Sequence, residues 1–234
     1  MVMARMISAL GGHVSMAIAA SVRSPDIAAL ARARGWNGSG QITCTINTGV
    51  DVASLNIAGI PHDRLTIINR GRIGGVVNGG TAIYTRTRIR IDNTSGTIFG
   101  GGGAGGNGAW KAIFRGTGYV GTGNGGSGGS GAGFNNSGTP VFVWQTSGNP
   151  GTSQTVGGPS IGGSTQGVAT GGRGGDGGAM GMPGGSGSYG STSGTFDSQS
   201  DGAIGMGGAA GAYVDGNSFV TWTANGTRLG LAIN

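Results

Sequence analysis

The sequence contains no glutamate, one lysine (Lys111), one cysteine (Cys44), two histidines (His13 and His62) and six prolines in 234 residues. Without glutamate and nearly without lysine, good surface-helix formers are missing, so helix should be scarce. One cysteine cannot form an internal disulfide, so no disulfide framework holds the fold. Cys44 sits in QITCTIN with Ile42 and Ile46 on the same strand face, the setting of a small core residue rather than a nucleophile. Two distant histidines and one cysteine argue against a zinc site. No apolar run approaches the ~20 residues of a membrane span. Met1 to Ala20 has an early Arg5 and small residues at Ala17 and Ala19, somewhat like a signal peptide. Gly11, Gly12 and His13 interrupt its apolar part, and a docking segment is the preferred reading.

What is abundant is glycine, 58 residues, about a quarter of the chain against a usual share near ~7%. Glycine loses the most backbone freedom on folding. With only 36% hydrophobic residues, backbone hydrogen bonding must contribute more than usual to any fold. The net charge of +6 favours an acidic partner or surface.

Residues 24–35, SPDIAALARARG, read as the best helix. Ser24 is the expected N-cap, Pro25 the first helical residue and Gly35 the stop, with an apolar stripe of Ile27, Leu30 and Ala31. From Gln41 to Phe99 the alternation is β. Leu65, Ile67, Asn69 and Gly71 repeat as Ile89, Ile91, Asn93 and Gly96, which suggests successive coils of a small β-solenoid. Between Gly96 and Gly216 lie 44 of the 58 glycines. Several runs hold a period of three: 100–106, 125–131, 172–190 and 202–211. That is the repeat of the polyproline II helix, whose backbone groups point outward and must be satisfied by neighbours. A flexible linker would not keep phase over seven glycines, nor carry Trp110, Phe114, Phe142 and Trp144 between its runs. Collagen needs ~15–20% proline or hydroxyproline. After Ala212, Asp215-Gly216 and Asn225-Gly226 separate short apolar runs, a hairpin signal that predicts a meander capping the glycine region.

The expected fold is therefore mostly irregular and β. An N-terminal segment with a helix (1–40) precedes a solenoid-like β region (41–99). A glycine-rich region of packed polyglycine or polyproline II helices (100–211) and a C-terminal β meander (212–234) follow.

Enzyme motifs match mainly because glycine satisfies half of each. Gly101, Gly103 and Gly106 fit GxGxxG without βα units around them. Gly125-Gly-Ser127-Gly-Gly129 fits GxSxG, but both histidines lie upstream of the serine, against the chain order of that mechanism. Gly171 to Asp176 begins like a calcium-binding nonapeptide, in one copy where tandem copies share ligands. No catalytic constellation, cofactor or metal follows, and any function must come from a surface. Arg86, Arg88 and Arg90 alternate along a strand and, with Arg70 and Arg72, form a candidate basic ladder. It reads more readily as a solvated face than as a phosphate site, and it lacks the interleaved aromatics of a nucleic-acid surface. The stronger candidates are loops between glycine runs: Trp110, Lys111, Phe114, Arg115 and Tyr119 in the first, Phe134, Phe142 and Trp144 in the second, Tyr189 and Phe196 in the third. Aromatics and arginine dominate binding hot spots. Phe142 and Trp144 packing beneath their loop is an equally open reading.

The chain resembles the glycine-rich adhesins at the tips of T-even-type phage tail fibres and the glycine-rich ends of siphophage tail-tip host-specificity proteins. AALARARGWNGSG (28–40), LTIINRGRIGG (65–75), the glycine blocks at 100–106, 123–133 and 171–190, and GGAAGAYVDGNSFVTWTANGTRLG (207–230) carry the resemblance. It implies a sandwich of polyglycine II helices and a place in the virion tail. It also implies a host receptor, either an outer-membrane protein or lipopolysaccharide, contacted by the loops. Another phage tail protein would be bound through residues 1–35, with self-association in the tail left open and no nucleic acid. The alternatives are a structural or assembly protein of the tail tip, and an ice-binding protein, which the arginines and aromatic loops oppose.

Overall fold

A computed structural model describes residues 12–116, 118–157 and 166–234. Strict alternation of apolar and polar residues makes each N-terminal strand bury one face. In β1 (Val14–Ile18), β3 (Ile42–Ile46) and β6 (Leu65–Asn69) every second residue is buried. Around them the chain turns through β2 (Val22–Arg23), β4 (Asp51–Ala53), β5 (Leu55–Ile57), β7 (Arg72–Gly74), β8 (Ile83–Thr85), β9 (Ile89–Asp92) and β10 (Thr97–Phe99). All pairings among these strands are parallel. Three sheets result, each gaining one strand per coil from the second coil on, which is the winding of a β-solenoid.

The glycine-rich region contains β11 (Lys111–Arg115), β12 (Tyr119–Gly123), β13 (Gly133–Phe134), β14 (Phe142–Val143), β15 (Ser153–Val156), β16 (Gly167–Thr170), β17 (Ser191–Gly194) and β18 (Ser198–Asp201). The chain then returns through β19 (Ala212–Asp215), β20 (Val220–Ala224), β21 (Thr227–Leu229) and β22 (Leu231–Ile233). These last four do not form a meander. β19 lies parallel to β8, β20 to β9, β21 to β10 and β22 to β19. The sheets therefore run β1-β3-β6-β9-β20, β2-β4-β7-β10-β21 and β5-β8-β19-β22. The chain leaves the fourth coil after Phe99 and re-enters it at Ala212, so residues 100–211 are an insertion between two sides of one coil. Asp-Gly and Asn-Gly turn corners here instead of closing hairpins: Gly216, at φ +101°, joins β19 to the strand on the next face.

Side chains stack in register through the coils. Met16, Cys44, Ile67, Ile91 and Trp222 share one position on the first sheet; Leu55, Ile83, Val214 and Ala232 share one on the third. Each fully buried Ile or Leu of these stacks is worth about 1.5–3 kcal/mol relative to exposure. At one corner Asn69 Nδ2 donates to Asn93 Oδ1 (2.8 Å), and Asn93 Nδ2 donates to Thr227 O (3.1 Å). These bonds pay the desolvation of both Nδ2 groups and of Asn93 Oδ1, while Asn69 Oδ1 is left without a partner among the described residues, and they account for the asparagine repeated at this corner.

The first coil has a helix, α1 (Ile27–Arg32), where the later coils have a strand of the third sheet. Its cap is Asp26, whose carboxylate accepts from Ala29 N at 2.9 Å, not Ser24. Ser24 takes φ 44° and donates its N–H to Ala53 O, closing the coil before the helix begins. Ile27 and Ala31 of the expected apolar stripe are buried, but Leu30 is exposed and Ala28 takes its place on the buried face. Residues 12–40 thus build the first coil through β1 and β2. The rest of the expected docking segment, residues 1–11, lies outside the described residues.

The glycine runs bond to one another with the period the sequence shows. Gly102, Gly105 and Gly108 donate to Ala132, Gly129 and Gly126, while Gly103, Gly106 and Ala109 donate to Met182, Gly185 and Ser188. Gly172, Gly175 and Gly178 donate back to Ala109, Gly106 and Gly103. Similar ladders join the 146–152 run to 124–130 and the 184–187 run to 205–208. Two rows of three runs satisfy all these pairings. A Cβ on Gly105 would overlap Gly175 O, and one on Gly175 would overlap Gly185 O, so residue size at every third position sets the spacing. The 172–190 stretch is not one segment. It reverses at residues 179–182, where Met182 N bonds to Ala179 O and Gly181 takes φ +68°. The turn glycine falls in phase, which hides the reversal in the sequence.

Candidate functional site

All six runs connect the solenoid to a far end. There β11 pairs antiparallel with β12 and β18, and β16 with β15 and β17, in two small sheets. They pack through Ile113, Val156 and Ala169, with Phe196 against them. Gly121 lets the sheets approach, since a Cβ there would overlap Val156. Alternation along β11 divides the first candidate loop. Lys111, Ile113 and Arg115 turn inward, whereas Trp110 and Phe114 turn outward, Phe114 opposite its cross-strand partner Val120.

Burial removes three candidates from direct contact with a receptor. Lys111 is buried, its Nζ 2.6 Å from Asp201 Oδ1. Arg115 is fully buried and donates to Val156 O at 3.2 Å. Phe134 is fully buried with Phe99 and Ala53 at the solenoid. These are structural residues, and Phe196 is half-buried in the core between the small sheets. Trp110, Phe114, Tyr119, Val120 and Tyr189 remain exposed at the far end, Tyr189 with 63% of its surface accessible.

The second loop divides differently. Phe134 and Phe142 pack with Phe99 in tilted and edge contacts at 5.2–6.3 Å, and Trp144 stands edge-on to Phe142 at 4.9 Å. Arg72 lies over both Phe134 and Phe142 and is held by two 2.7 Å bonds to Asp51. Arg23 of β2 donates to Asn135 O at 2.6 Å. This loop is therefore tied to the solenoid, and Trp144, 69% exposed, sits there. The glycine runs separate this loop from the two small sheets, so the sequence candidates form two groups at opposite ends of the glycine region.

The arginine ladder does not form. Arg86 and Arg88 lie at the corner between β8 and β9, paired with Asp215 and Asp63 at 2.9 Å. Arg90 alone projects from the first sheet, and Arg72 belongs to the second. The hydrogen bond from Arg88 holds the Asp63 carboxyl below the ordinary carboxylate range. Asp176, the acid of the calcium-like motif, accepts from Gly148 N at 3.0 Å and Arg173 at 2.7 Å. Burial pushes the Cys44 thiol up to about 12, which keeps it protonated and unreactive. Sequence reasoning missed Val120; its place opposite Phe114 depends on the register of the β11–β12 hairpin.

None of the curated proteins matches the chain. Among solved structures it is similar to a chain in the crystal structure of the gp37-gp38 adhesin tip complex of the bacteriophage S16 long tail fiber. Identity is 22% over 93% of this chain and 81% of that one, with a TM-score of 0.43. The family model for the phage tail fibre adhesin Gp38 matches residues 13–233. The chain thus belongs to the Gp38 family of phage tail fibre adhesins and is a component of the virion's tail fibre.

Proposed function

We propose that this adhesin sits at the fibre tip and contacts a host surface receptor, an outer-membrane protein or lipopolysaccharide, with the end of the glycine region farthest from the solenoid. The observation that carries this reading is the collection of Trp110, Phe114, Tyr119, Val120 and Tyr189 in exposed positions there, on strands and run ends held by a continuous backbone network. In this reading the runs are polyglycine II helices, which hold the contact residues with little ordering cost on binding. The chain acts by binding alone, and the +6 charge speeds approach to an anionic envelope. The solenoid, including residues 12–35, faces the rest of the tail fibre.

The test is adsorption of phage carrying Trp110→Ala, Phe114→Ala, Tyr119→Ala or Tyr189→Ala. One or two of them should weaken binding by about 2 kcal/mol or more with unchanged thermal stability. Trp144→Ala, at the opposite end, should leave host binding intact. Normal adsorption by all four tip variants would overturn the assignment, and loss on removing Arg86, Arg88 and Arg90 would move the site to the solenoid.

A further inference from the structure

The first two sheets of the solenoid each contain a strand in all five coils, but the third has only four and begins at β5. In the first coil α1 replaces the missing strand, and it packs chiefly against β1. Between α1 and β5 a cavity of about 320 Å³ remains, lined by Ser24, Pro25, Ala28, Arg32, Asn56 and Gly59 among others. The backbone of β5 faces it. Leu55 N donates to Ala82 O on the β8 side. Backbone groups alternate sides along a strand paired in parallel, so the N–H and C=O of Asn56 turn toward the cavity. The Asn56 side chain is exposed, and neither wall offers a bulky apolar residue to close the gap.

We propose that this groove is a strand-addition site, which a short extended segment of the tail fibre shaft protein enters parallel to β5, completing the third side of the first coil. Backbone complementarity defines the occupant. Asn56 offers one donor and one acceptor along an open edge, and every pair in this sheet is parallel, so an extended polypeptide in that direction continues the ladder. Arg32, at the rim, favours an acidic or carbonyl-rich residue flanking the added strand. The location agrees with the molecule's polarity: the groove is on the solenoid, and the exposed aromatics are at the far end of the runs. The choice of the shaft protein as occupant rests on the proposed function.

The experiment mixes the purified full chain with tail fibres from virions lacking it, and measures co-sedimentation and amide exchange. Asn56→Pro removes an N–H that bonds to none of the described residues, so the fold should keep its melting temperature; Ala58→Trp fills the groove by a second route. Both should reduce capture on fibres at least tenfold, while free protein still binds host cells. The Asn56 amide should become protected in the wild-type complex. Fibre capture of both variants equal to wild type, or an Asn56 amide that exchanges as fast in the complex as alone, would overturn the proposal. So would a self-associated wild type that becomes monomeric in Asn56→Pro, because the occupant would then be a second copy. Loss of host binding with fibre capture intact would instead count against the receptor reading.

Discussion

Replacing Gly175 by alanine isolates the packing of the glycine runs from every other property of the protein. The residue is buried, donates to Gly106 O at 2.8 Å and accepts from Gly129 N at 2.9 Å. Its φ is not in the left-handed region, so alanine is conformationally acceptable and only crowding opposes it. The new methyl would overlap Gly185 O and lie 2.6 Å from Ser186 O, forcing two backbones apart. Overpacking costs about 1–3 kcal/mol, and each weakened bond between the runs, such as Gly185 N to Asp176 O, costs about 1 kcal/mol. Alanine's restriction of the unfolded chain returns about 0.4–1 kcal/mol. The net is a loss of about 2–3 kcal/mol, or roughly 4–12 °C in melting temperature for a chain of this length. Gly185→Ala is the control. It is exposed, and its methyl would meet nothing nearer than 3.4 Å, so its melting temperature should stay level or rise by a few degrees. Calorimetry on both variants decides. Equal shifts, or a Gly175→Ala shift within about 1 °C of zero, would refute the packing described.

Three further outcomes follow from particular residues. Cys44, with its thiol raised by burial, should resist a thiol reagent at pH 8 in the native protein and react at once in denaturant. Phe134→Ala should cost about 3–5 kcal/mol by opening the Phe99–Phe134–Phe142 cluster, measurable by denaturant titration, whereas exposed Trp144→Ala should cost little. Asp176 is held below the ordinary carboxylate range first by the Gly148 N–H and then by Arg173. Its contribution is full above the unfolded-state value near ~3.9 and is lost as pH falls through the lower folded one. The melting-temperature gap between wild type and Asp176→Asn should therefore narrow below about pH 4.

The solenoid was legible where the signal was local and repeated. The matching of Leu65, Ile67 and Asn69 with Ile89, Ile91 and Asn93 is the register of β6 against β9. The phase-three glycines likewise mark positions where a Cβ would meet a neighbouring carbonyl. What depends on distant partners was not legible. Asp-Gly at 215–216 promises a hairpin by local preference, yet β19 already has β8 as a parallel partner more than a hundred residues away. Period three cannot distinguish a straight run from one that reverses at Gly181, because the turn glycine keeps the phase. Among the site candidates, residue type alone could not separate Phe114 from Arg115. Their opposite fates follow from which face of β11 meets Val156 and Ala169. Trp110 and Trp144 look equivalent in sequence and lie at opposite ends because of the order in which the runs go out and back.

The central claim is that the host is met by the far end of the glycine region and not by the solenoid side. Amide exchange on the purified protein, alone and bound to outer-membrane vesicles from the susceptible host, tests it directly. The account predicts new protection confined to residues 110–123 and 189–201, with residues 134–144 and the solenoid exchanging as in the free protein. Protection centred on Val141–Trp144 or on the outer faces of the solenoid, with the far end unchanged, would contradict it.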